Sequence, residues 1–413
     1  MNRQITLIAA ALATVLAGSV SAAELRLAPA GARDTVPTTL SSEVVKNAAA
    51  LENAPVEFAW RLDGAPLEPI ASPYQASSKE YWDRRSADEL VKGVTLDTVA
   101  PGALVRLSPL GEAQTKALEA REVILRKDGK TYANGTGMVL LADADELEKG
   151  AAPFTQGTTV FRIDPALGAG RFELLVPKAS GEAIVHVYEP ESSTSLELAL
   201  DQVSYQKGQP MVVRARLADD ESRVRVTQIG GLITAPDGQV YDIRFKAEGQ
   251  AGFSATLPAD FAAAGQMGLF EVETFATGSG AKGRVLRDAR TAFAYTVPSA
   301  RFTGAARTVA VKMRDPNVVL EFDVEVAAAS RYQIGAVLYG TSASGEKIPV
   351  AAAQSAAVLK PGVHALPLTF APDVLDGAKA GAPWEIRDLR LVNQADMGLQ
   401  EQRVQALTLD GVR

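Results

Sequence analysis

The sequence predicts an all-β protein: tandem β-sandwiches, with a jelly-roll-like domain first and two immunoglobulin-like domains after it. Three observations carry this. Apolar and polar residues alternate over short runs along most of the chain, which is the period of a half-buried strand. Turn signals recur every 8–12 residues or so, the spacing of sandwich strands. The 413 residues include no cysteine, so apolar packing alone must hold each core.

The first residues, MNRQITLIAAALATVLAGSVSAAE, read as a secretory leader. Arg3 supplies the positive start, Ile5 to Ala17 the apolar stretch, and Val20-Ser21-Ala22 the small residues of a cleavage site. That stretch is too short for a bilayer, which needs about 20 residues. Residues 1–22 are therefore expected to leave, and the rest to work outside the cytoplasm, in the periplasm or the medium. About 390 residues remain, enough for two to four domains with cores of their own. Residues 23–55 form an N-terminal arm, with one expected helix at SSEVVKNAAALE (41–52).

From residue 56 the period becomes two. VEFAWRL puts Val56, Phe58, Trp60 and Leu62 on one face. Phe172, Leu174 and Val176 repeat the pattern, as do Leu196, Leu198 and Leu200. Asp128-Gly129 is a hairpin turn, and Ser86-Ala87-Asp88-Glu89 is a capping box for a short helix ended by Gly93. Residues 56–200 are read as the first sandwich. The second, 201–297, has Met211, Val213, Ala215 and Leu217 on one face. In its hairpin, Pro236-Asp237-Gly238 turns into Tyr241, Ile243 and Phe245. The third, 298–413, holds WEIRDLRLVN. There Trp384 and Ile386 share one parity and Leu389 and Leu391 the other, so a β-bulge is expected at Arg387-Asp388.

Composition excludes several functions. The net charge is −7 with Lys and Arg scattered, so no basic stripe is present for a phosphate backbone, and nucleic acid is not an expected partner. No later segment is apolar enough to span a membrane. Only two histidines exist, His186 and His364, in separate expected domains. Neither H-E-x-x-H nor G-x-S-x-G occurs, so a nucleophile beside a histidine base is not expected. GSGAKG (278–283) matches a dinucleotide-binding glycine pattern, but lies between two apparent strands and reads as a hairpin loop. Calcium is the one cofactor worth naming, at the acidic run Asp219-Asp220-Glu221. The other acidic run, LADADELEKG (141–150), fits a solvated helix.

The third block resembles the small β-sandwich modules at the ends of secreted bacterial proteases and von Willebrand-type adhesion proteins. YQIGAVLYGTSASGEKI, LKPGVHALPLTF and WEIRDLRLVNQ carry the likeness, and YQKGQPMVVRARL with ITAPDGQVYDIRF extends it to the second block. KEYWDRRSADELVKGVTLDTVAPGALVRLSP and VFRIDPALGAGRFELLVP resemble a domain-of-unknown-function family of secreted bacterial proteins. The resemblance implies architecture and export, and brings no catalytic residues.

The expected ligand patch is aromatic. PYQASSKEYW presents Tyr74, Tyr81 and Trp82, rings that pair large contact area with a polar handle. The expectation is a secreted or periplasmic, non-catalytic binding or scaffolding protein for a protein or glycan of the cell envelope or the exterior. Its alternatives are a carboxylate-dependent glycan-acting enzyme in the first domain, and an accessory chaperone or inhibitor for an exported protein.

Overall fold

The first and last described strands, Glu24–Arg26 and Gly398–Leu409, belong to the same sandwich. The computed structural model describes residues 24–45, 52–67, 74–110, 119–142, 155–219, 224–249, 252–309, 318–375 and 377–409. The expected leader, most of LADADELEKG, and Asp220 with Glu221 lie outside them. The described chain is mostly strand, paired antiparallel but for Ser204–Gln206 with Gly283–Thr296, around three separate apolar cores.

The C-terminal core lies between a four-stranded and a five-stranded sheet. Strands Ala300–Val309, Val318–Val326 and Gly362–Phe370 make the first, and the arm strand Glu24–Arg26 closes its edge against Ala300–Val309. Strands Lys347–Leu359, Ser330–Ser342, Ala380–Asn393 and Gly398–Leu409 make the second, and Val56–Arg61 adds its edge. Phe322, Phe370, Leu320, Ile334 and Leu391 are sealed between the sheets. Full burial of each such side chain contributes about 1.5–3 kcal/mol.

The strand expected at residues 56–61 exists, but in the third sandwich rather than the first. Its apolar face also looks outward: Val56, Phe58 and Trp60 are exposed, with the two rings stacked at 5.7 Å, while Ala59 meets the core. The reason is register. Period two fixes which residues share a face but not which face is covered. On an edge strand the small alternate residue can take the inside. Of the helix expected over 41–52, residues 41–45 have no regular secondary structure and residues 46–51 lie outside the described set. Ser41 Oγ accepts the Glu43 N–H at 3.1 Å, a local turn that competes with helix.

The N-terminal core holds Val105, Leu107, Leu125, Phe161, Phe172, Leu174 and Val187. The hairpin at Asp128-Gly129 forms with both residues at positive φ, +50° and +76°. The capping box forms with Ser86 and Glu89 bonded reciprocally, and helix Ala87–Lys92 stops at Gly93. The middle core takes Met211, Val213, Ala215 and Leu217, as the pattern predicts. It also takes Ala76 and the row Leu196, Leu198, Leu200, which the sequence reading assigns to the first sandwich. Strand Thr194–Leu200 pairs with Gln75–Ser78 on one side and Met211–Asp219 on the other. In place of a disulfide, the middle core packs Phe270 on Phe293 at 5.4 Å and Tyr295 edge-on to Phe270 at 5.7 Å. Such aromatic pairs add about 0.5–1.5 kcal/mol beyond their area.

The bulge near Arg387-Asp388 is present. Register against Gly398–Leu409 shifts between Ile386 and Arg387, and Asp388 sits at φ +50°. Ile386, Leu389 and Leu391 are all fully buried despite their opposite parity, and Trp384 packs half-buried against the same core. The Asp388 carboxylate accepts from Arg390 Nε at 2.8 Å and Gln402 Nε2 at 2.7 Å, which ties down the interrupted ladder.

Candidate functional site

The first two domains share one sheet, and the candidate site lies at the seam. Strand Glu80–Arg85 of the N-terminal domain pairs along its full length with Ala183–Tyr188. On its other edge it meets the middle domain's strand Gly283–Thr296 at one residue pair, Asp288 with Glu80. Beyond that pair the strands part. Asp288 Oδ2 then accepts the Trp82 N–H at 2.8 Å, so a side chain supplies the bond that the ladder no longer does.

Alternation sorts the residues of Glu80–Arg85 into two sets. Tyr81 points into the N-terminal core, 6% exposed, and donates its hydroxyl to the Asp97 carbonyl at 3.0 Å. Burial pushes its phenol well up, and the structure places it in the core rather than on the face that Tyr74 and Trp82 share. Glu80 and Trp82 point the other way, into a concavity of about 300 Å³ lined also by Tyr74, Arg106, His186, Asp288 and Arg290. Tyr74 stands at the rim, 69% exposed. Two of the three expected aromatics therefore share a surface, and the third is core.

The floor of this cleft is charged. His186 Nε2 lies 2.8 Å from Glu80 Oε2, and that hydrogen bond holds the Glu80 carboxyl below its ordinary range. Arg290 covers the Trp82 ring at 4.7 Å. Asp288 is pushed up to about 7, chiefly by burial, with the Trp82 N–H opposing. A second hollow of about 220 Å³ opens beyond Asp288, between Arg85 on one strand and Phe275 and Thr277 on the other side. Histidine in the cleft is thus engaged by a carboxylate, and one carboxyl carries a backbone N–H. The arrangement presents hydrogen-bond acceptors and an open ring to a polar ligand.

Behind the cleft, the strand residue next to Asp288 faces inward. Arg287 is buried with its guanidinium 2.7 Å from Glu189 Oε2. Its Nε donates to the Thr194 carbonyl at 3.0 Å and its Nη2 to Ser192 Oγ at 2.8 Å. Glu189 Oε1 accepts the Val99 and Ala100 N–H groups at 2.6 and 2.9 Å. No sequence motif announces this, because the partners lie some 90 residues apart or more. Only the place of Arg287 in the alternation, at the parity of the apolar Val285 and Ala289, hints at it.

The other expected sites stay apart. Asp219 Oδ1 accepts from Ser193 Oγ at 3.1 Å and Thr194 Oγ1 at 3.0 Å, and Asp220 and Glu221 lie outside the described residues. Among the described residues, no cluster of three or more metal-ligating side chains occurs. His364 Nε2 is 2.7 Å from the Lys360 carbonyl in the C-terminal domain, away from His186. GSGAKG is the hairpin between Phe270–Gly280 and Gly283–Thr296, as expected.

Comparison with known proteins supports the architecture. Residues 47–189 match the model of the DUF4785 N-terminal domain, and residues 299–410 that of the DUF4785 C-terminal domain. The crystal structure of a DUF4785 family protein from Legionella pneumophila is similar over 91% of this chain and 99% of that one, with a TM-score of 0.67 at 23% identity. The YadV chaperone aligns over 51% of this chain and 98% of its own, at 11% identity and a TM-score of 0.19. The alpha-2-macroglobulin of E. coli aligns over 81% of this chain and 20% of its own, at 12% identity and a TM-score of 0.25. Those last two scores are too low to carry any argument. No curated protein matches the chain. With Glu80, Trp82 and His186 inside the first matched region and the bulged strand inside the second, the chain carries the N-terminal and the C-terminal domain of the DUF4785 family, domains of unknown function.

Proposed function

We propose that the protein is exported and works without catalysis, as a binding protein whose junction cleft takes a glycan. Export rests on the leader-like residues 1–22. The observation that carries the binding reading is the meeting of Tyr74 and Trp82 with Glu80, His186 and Asp288 in one polar concavity between two domains. Vicinal hydroxyls of a sugar donate to carboxylate oxygens, while the exposed Tyr74 ring offers a face to the sugar's C–H groups. The sheet shared by the two domains fixes the cleft, so little ordering cost falls on binding.

A glycan array with the chain from residue 23 onward tests this. Tyr74→Ala and Glu80→Gln are expected to weaken the strongest hit about tenfold, the loss of one ring contact or one charge-assisted hydrogen bond. Tyr74 is a rim residue, so the melting temperature should not move. Unchanged binding by both variants would refute the reading. One observation favours a second reading. Glu80 and Asp288 are backbone partners across the seam and both line the cleft, and glycan hydrolysis uses a pair of carboxyls flanking the scissile bond. Release of reducing ends that stops in Glu80→Gln would support that enzyme and displace the binding protein.

A further inference from the structure

Another concavity lies in a different domain, on the outer face of the five-stranded C-terminal sheet. It measures about 470 Å³. The bulge residues Arg387 and Asp388 form part of its lining. Two connecting segments wall it in: the arm around Arg33, and the turn Gly64–Leu67 that follows the edge strand Val56–Arg61.

Its lining separates into two kinds. Leu67, Pro66, Val337, Ile348 and Val404 give an apolar trough, with Leu67 exposed at its rim. The charged groups are Arg33, Lys347, Arg387 and Asp388. Lys347 and Arg387 share one carboxylate, Glu385, at 3.0 and 2.6 Å, and Asp388 is answered by Arg390 at 2.7 Å. Arg33 is exposed and has no ion-pair partner among the described residues. Its neighbour Asp34 spends its two oxygens on the Gly31 and Val404 N–H groups, at 2.9 and 2.8 Å. With Asp34 counted, the cations around the trough still outnumber the carboxylates, on a chain whose net charge is −7. Arg387 is fixed in place, its guanidinium 4.6 Å from the Tyr339 ring.

We infer that this trough binds an amphipathic monoanion: a medium-length alkyl carboxylate, with its head group on Arg33 and its chain along Leu67, Val337 and Val404. A volume near 470 Å³ is in the range of small-ligand sites, which are mostly apolar with a few placed polar groups. Arginine suits the head group because its planar fork meets a carboxylate with two parallel hydrogen bonds. The inference stands apart from the junction cleft, shares no residue with it, and survives its failure.

Calorimetric titration of the full chain with decanoate tests it, beside decanol, acetate and decyltrimethylammonium. Decanoate is expected to bind at least tenfold more tightly than each of the three, since both the charge and the chain contribute. Arg33→Gln should weaken decanoate about tenfold and leave decanol unchanged. Leu67→Glu, at an exposed rim position, should weaken decanoate similarly with an unaltered melting temperature, and Val337→Trp should abolish it by filling the trough. Decanoate that does not bind at millimolar concentration, binds no better than decanol, or binds equally to Arg33→Gln and Leu67→Glu would overturn the inference.

Discussion

The two junctions of this chain are built on opposite plans. Between the N-terminal and middle domains the backbone is continuous: one sheet passes through the Asp288–Glu80 pair, and the buried Arg287–Glu189 ion pair sits behind it. Between the middle and C-terminal domains, no strand of one pairs with a strand of the other among the described residues. That contact is made by side chains. Gln400 Nε2 donates to Thr296 Oγ1 at 2.7 Å, and Thr296 Oγ1 donates to Asp396 Oδ2 at 2.5 Å. Gln206 Nε2 donates to the Gln400 carbonyl at 2.7 Å, and Gln400 Oε1 accepts the Ser299 N–H at 2.7 Å. The first plan places its charge with an opposite charge. The second buries the Asp396 carboxyl with a hydroxyl and a backbone N–H as its donors. The first junction should therefore fail when a partner is removed, and the second when pH or volume changes.

The largest effect is expected at the ion pair. Arg287→Ala leaves Glu189 buried and uncompensated, which costs about 3–5 kcal/mol. Urea unfolding should show this as a lower midpoint. Arg287→Met with Glu189→Leu should recover most of the loss, because a well-packed apolar pair of similar volume is often neutral. A loss below about 1 kcal/mol in Arg287→Ala would mean that the continuous backbone alone holds the domains.

At the second junction, Asp396 is fully buried and its carboxyl is pushed up to about 6, chiefly by that burial, against hydrogen bonds from Thr296 and Gly398. Glu401 nearby is raised for the same reason. A carboxyl raised above its unfolded value binds more protons folded than unfolded in that interval. Its contribution is therefore complete below about pH 4 and falls away as pH rises towards 6. The two-unit rise corresponds to at most about 3 kcal/mol. Asp396→Asn should remove the Asp396 part of this decline from a stability profile measured between pH 4 and 7 and leave that of Glu401. An unchanged slope would place the proton elsewhere. Volume is the other lever. A Cβ on Gly398 would lie 2.1 Å from Thr296 Cβ, so Gly398→Ala should cost about 1–3 kcal/mol by overpacking, and Thr296→Gly should relieve it.

How much of this could be read from the sequence differs between strand and junction. Period two placed Leu196, Leu198 and Leu200 on one buried face, and the parity change at Arg387-Asp388 located a bulge. Both are local facts, written within one strand. Which domain a strand joins is not local. Strand Val56–Arg61 has the same alternation as a core strand, yet it closes the edge of a sheet whose other strands lie almost 300 residues later, with Phe58 and Trp60 outside. The site behaves alike. Tyr74 and Trp82 were legible as aromatics near one another, and alternation alone could have removed Tyr81 from the set. His186, Asp288 and Arg290 were not legible as cleft residues, because only the pairing of Glu80–Arg85 with two distant strands brings them there.

The smallest expected effect returns to the first junction and separates the two plans most finely. Asp288 is also raised, to about 7, but it opens on the cleft, whereas Asp396 is sealed. Solvent screening should leave Asp288 contributing about 1 kcal/mol, lost as pH rises from about 4 towards 7. Asp288→Asn keeps an oxygen for the Trp82 N–H and should only flatten that part of the profile. Asp288→Ala leaves the N–H without its acceptor and should cost about 1 kcal/mol more. Salt distinguishes the carboxyls. At about 1 M the screening length falls to about 3 Å, which should remove the Coulombic share of the Asp288 shift, from Glu273, Asp83 and Arg290, and leave its larger burial-driven share and the Asp396 step standing. If salt moved both steps alike, the second junction would be as wet as the first, and the contrast between a charge-locked and a side-chain-sealed interface would be lost.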